Sequence, residues 1–86
     1  MINIKYAKYG QVVSDHMLED WGGALVERFK KEPNFGITVG AETMVTMVRV
    51  LIVRGELKHT DVVFHDGSSY DELTVNEYGN LKVWPP

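Results

Sequence analysis

The sequence predicts an α+β fold in which two helices cover one face of a small mixed β-sheet, in the order β-α-β-α-β-β-β. Three observations lead there. Residues around Ile2, Ile4 and Tyr6, and again around Phe35, Ile37 and Val39, alternate apolar with polar or small side chains, the period of a half-buried strand. Two longer stretches place apolar residues at spacings of three and four, the period of a helix face. From Asp61 onward, β-branched and aromatic runs are separated by glycine-containing turns. With 86 residues the chain is expected to form a single domain, 1–86. A domain this small buries only about 60–65 % of its unfolded surface, so its core is thin.

Each element has its own warrant. The first strand runs through Ile2, Ile4 and Tyr6, and Gly10 breaks it. Ser14 and Asp15 then offer an N-cap and a first-turn charge for a helix of about fifteen residues. Its apolar stripe is Met17 or Leu18, Trp21, Leu25 and Phe29, and Trp21 is expected in the core. Gly22 and Gly23 weaken it by about 1–2 kcal/mol relative to alanine; either another element packs closely against them, beside Trp21, or the pair is a tolerated weakness, and we favour the weakness. Pro33 and Asn34 end the helix, and the second strand, over Phe35, Ile37 and Val39, stops at Gly40. Glu42 opens a second helix, apolar on most of its circumference, in which only Thr43, Thr46, Arg49 and Arg54 are plainly polar. Its many β-branched residues would also suit a strand, but Glu42 and the C′ residue Gly55 favour a buried helix. Asp61 to His65 reads as a third strand, 70–75 as a fourth and 81–84 as a last one that Pro85 and Pro86 stop. Asp66-Gly67 and 77–80 are the turns between them.

Composition narrows the function classes. Apolar residues at 44 % and charged residues at 24 % are globular values. There is no cysteine, so neither a disulfide nor a thiolate zinc site supplements the core. A small domain without such a staple often gains stability by association, so a homodimer or a larger protein partner is expected. Net charge is −3, from 12 acidic against 9 basic residues, which disfavours nucleic acid as a partner. Arg28, Lys30 and Lys31 are flanked by Glu27 and Glu32 and read as a solvated helix end. The first ten residues hold no apolar h-region, and the longest apolar run, Val50 to Val53, falls far short of the ~20 residues that span a bilayer. The expectation is a soluble, cytoplasmic protein with no membrane partner.

Candidate catalytic residues are sparse. The three histidines, His16, His59 and His65, form neither HxxxH nor HExxH. His65 and Asp66 with Asp71 or Glu72 across a turn offer a weak cation site, and His16 lies among Asp15, Glu19 and Asp20. A polar hairpin end and a polar helix face account for the same residues. Ser14, Ser68 and Ser69 sit in cap or turn contexts, and neither GxxxxGK[ST] nor GxGxxG occurs. No enzyme signature, metal site or cofactor site is assigned. Large aromatics are the stronger signal: Tyr9, Tyr70, Tyr78 and Trp84 lie near strand ends or turns, where exposed tyrosine and tryptophan serve as interface anchors.

Residues 37–86 also resemble a known arrangement. The segments AETMVTMVRVLIVRGELKHTDVVF and NEYGNLKVWPP are similar, in order, to the C-terminal region of SMC-like, ABC-type ATPases of bacterial defence and repair systems. On that resemblance Glu42 matches the acidic residue after the switch histidine, Arg49 the helix arginine, and Gly55-Glu56-Leu57 the turn. The switch histidine itself falls on Gly40, and the phosphate loop is absent. The resemblance therefore implies a shared scaffold without ATPase activity. Residues 1–36 do not take part in it.

Together these readings favour a non-enzymatic binding or regulatory protein acting through protein–protein contact, in keeping with a phage or mobile-element origin. The alternatives are a structural homodimer, or a small-ligand or metal-dependent enzyme using His16, His65 and nearby carboxylates.

Overall fold

The computed structural model describes residues 1–66, 72–74 and 78, with backbone alone at 66 and 72–74. The expected last strand at 81–84 and the turns around Gly67 and Gly79 lie outside the described residues. Four strands form one sheet in the order β2-β1-β3-β4. The long strand β1 (Ile2–Gln11) lies parallel to both β2 (Phe35–Val39) and β3 (Val62–Asp66), and β4 (Glu72–Thr74) runs antiparallel to β3. Helices α1 (Leu18–Lys31) and α2 (Glu42–Val53) connect the parallel strands. This is the mixed α+β arrangement that the sequence predicts.

Register decides which face is the core. Ile2 pairs with Phe35 and Val62, and Ile4 with Ile37 and Phe64, so the strand residues of period two fall on one face. Ile2 and Ile4 are fully buried there, while Asn3, Lys5 and Gly36 on the other face are exposed. Leu25 and Val26 from α1, with Met44, Val45, Val48, Leu51 and Ile52 from α2, complete the same cluster, and Trp21 packs against it. Both helices thus cover one face. The step from β1 to β2 and the return from β2 past β1 to β3 run in opposite directions over that face. The two connections therefore have opposite hands, and one departs from the right-handed preference of parallel crossovers.

Local chemistry departs from the sequence reading at three places. First, β1 does not break at Gly10 but continues to Gln11. Tyr6 and Gln11 both register on Val39, so the intervening residues bulge across the end of β2. A Cβ on Gly10 would lie 2.4 Å from the Val39 carbonyl carbon, and one on Gly40 would lie 2.6 Å from the Gly10 oxygen. The Gly40 amide closes the crossing by donating to the Gln11 carbonyl at 2.7 Å. Second, Ser14 precedes a short 3-10 turn (Asp15–Met17) rather than α1 itself, and its side chain makes no cap bond. Its carbonyl instead accepts the Met17 amide at 2.9 Å. Third, Gly22 is a packing residue and not a weakness: a Cβ there would meet Met47 Cε at 3.1 Å and Leu51 Cδ1 at 3.5 Å. Gly23, with nothing within 4 Å, keeps the weaker reading.

The end of α2 follows the expected chemistry. Gly55 adopts φ +80°, its amide donates to the Ile52 carbonyl at 3.1 Å, and the Glu56 amide donates to Leu51 at 3.0 Å. This is a Schellman stop, which satisfies carbonyls that the helix leaves open and delivers buried Leu57 to the core. At the other helix, the Arg28 guanidinium lies 4.1 Å from the Phe35 ring centroid and ties the end of α1 to the start of β2. Glu27 and Glu32 pair with Lys30 and Arg28 at 3.1 and 3.2 Å, so that basic run is matched by acid, as its sequence implies.

The paired glycines give a direct check on the helix packing. Gly23→Ala raises stability by about 0.5–1 kcal/mol in denaturant unfolding, because alanine is the better helix former and finds open space. Gly22→Ala forfeits that gain, since Met47 must yield before the methyl fits.

Candidate functional site

Helix α2 is two-faced, which corrects the reading of a helix buried on most sides. Met44, Val45, Val48, Leu51 and Ile52 point into the core. Thr43, Thr46, Val50 and Val53 recur at spacings of three and four on the other side. Thr43, Thr46 and Val53 are exposed, Val53 to 66 % of its surface, and Val50 is half-buried. Two shallow depressions lie along this stripe and share Thr46 and Val50. One, of about 200 Å³, is walled by Leu18 of α1 and by Thr43 and Met47. The other, of about 220 Å³, is walled by Arg49, Val53 and Tyr78.

Tyr78 is the sequence-marked aromatic that the fold brings to this surface, and it is 71 % exposed. Tyr9 is 75 % exposed near the end of β1, with the Lys5 ammonium 5.5 Å from its ring centroid, and it lines neither depression. Tyr70 and Trp84 lie outside the described residues. Sequence reading marked Thr43 and Thr46 as polar but missed them, with Leu18, Val50 and Val53, as residues of a candidate site. The available signal was the stripe of threonine and valine opposite the larger core residues.

An exposed ion pair spans the two helices beside the first depression. Both guanidinium nitrogens of Arg54, the C-cap of α2, reach Glu19 in the first turn of α1, at 2.8 and 2.7 Å. The hydrogen bonds from Arg54 hold the Glu19 carboxyl below the ordinary glutamate value, and Glu19 in turn raises Arg54. Leu18, which walls the depression, is the neighbour of Glu19.

The histidines do not converge on a common centre. His16 is exposed in the 3-10 turn, and Asp15, Glu19 and Asp20 around it are exposed as well. His59 begins a second short 3-10 turn (His59–Asp61). His65 sits on β3, with Nε2 3.2 Å from Asn3 Oδ1 on the face of the sheet away from the helices. Among the described residues no group of three or more His, Asp or Glu is placed to hold a metal ion. The stripe on α2 carries threonine hydroxyls and one guanidinium, with neither an activated nucleophile nor a general base. What it offers is apolar contact edged by hydrogen-bonding groups.

Gly40, onto which the resemblance read from the sequence would set a histidine, is confined by the crossing with Gly10. Any side chain there, histidine included, meets the Gly10 carbonyl at 2.6 Å before its first torsion. Comparison with known proteins gives no match: no family model fits the chain, and no curated protein or solved structure matches it. Among the described residues no helix is long and apolar enough to cross a membrane.

The Glu19–Arg54 pair has a signed pH dependence. Because Glu19 has a depressed carboxyl pKa in the folded state, its contribution is present above the ordinary value of 4.5 and is lost as pH falls through the folded value. Glu19→Gln therefore lowers the thermal midpoint at neutral pH in low salt. The difference from wild type closes below the carboxylate range and also in high salt, because the pair is exposed. Melting curves across pH and salt read both effects.

Proposed function

We propose that this chain is a non-catalytic binding protein that engages a protein partner through the outer face of α2, with Tyr78 as an anchor. One observation carries the reading: an apolar stripe on a helix, with Val53 and a tyrosine both about two-thirds exposed, edged by threonine and arginine. Tyrosine beside small apolar residues, with a polar rim, is the composition of an interface core.

The proposed partner follows from the resemblance of 37–86. A domain that shares the scaffold of an SMC-like ATPase, without the switch histidine or phosphate loop, is suited to compete for that ATPase's own contacts. The proposed effect is interference with its assembly in the cytoplasm, and the proposed origin is a phage or mobile element. A second copy of the chain on the same stripe is the other reading, supported by the thin, cysteine-free core.

Immobilised wild-type protein is expected to retain a host ATPase of this group from bacterial extract, whereas Val53→Asp and Tyr78→Ala each weaken retention by about tenfold or more. Light scattering on the same samples separates self-association from capture of another protein. Equal retention by wild type and both folded variants would overturn the assigned face. A strictly monomeric protein that retains nothing would overturn the function.

A further inference from the structure

We draw no further inference here: the strongest candidate, the shallow apolar stripe of α2 between Leu18 and Tyr78, belongs to the site already described, and nothing in the structure shows what covers it.

Discussion

Two backbone segments cross at Gly10 and Gly40 at a separation that leaves no space for a side chain on either, and much of the fold is arranged around that crossing. Val39, whose carbonyl carbon would lie 2.4 Å from a Cβ on Gly10, is itself fully buried. The bulge at the end of β1, the end of β2 and the residues just before α2 therefore meet at one point. Glycine is used here for close approach and not for an unusual φ; among the described residues it is Gly55 that takes the left-handed conformation. The crossing excludes a side chain at Gly40, so glycine at that position has a steric cause within this fold.

From the crossing, the path of the chain directs α2 across the sheet with one side committed to the core. Its six buried residues anchor it firmly enough that the opposite side is free to present threonine and valine. Two close contacts then set the helix pair. Gly22 lets α1 approach Met47 and Leu51, and the Glu19–Arg54 bridge holds the near end of α1 beside the end of α2. Leu18, beside Glu19 on α1, walls the surface depression next to these contacts. The candidate site is thus a consequence of core packing seen from outside.

Much of this was legible from residue periodicity. Strand alternation at Ile2, Ile4, Phe35, Ile37 and Val39 and the helical spacing of Trp21, Leu25 and Phe29 are local signals, and burial of one face follows from them directly. Gly55 was legible for the same reason, because a helix stop is written in adjacent residues. Gly10 and Gly22 were misread because each answers to a residue far along the chain, Gly40 and Met47. An isolated glycine looks like a local breaker until its distant neighbour is known. The outer face of α2 was hidden differently. Valine counts as a core residue by composition, and only the sheet's position settles which valines face away from it. Tyr78 was marked as an exposed aromatic, but its place beside Thr46 and Val53 depends on tertiary structure.

The crossing is tested most directly by Gly10→Ala in denaturant unfolding. A single methyl lacks charge and polarity and adds only bulk, at a site where the nearest atoms belong to backbone. The structure predicts a loss of about 2 kcal/mol or more, read as a lower midpoint with an unchanged slope, since strain is imposed on the folded state. A stability within about 0.5 kcal/mol of wild type, the range of an ordinary surface substitution, would contradict the close approach of these two segments and the steric explanation of Gly40 with it.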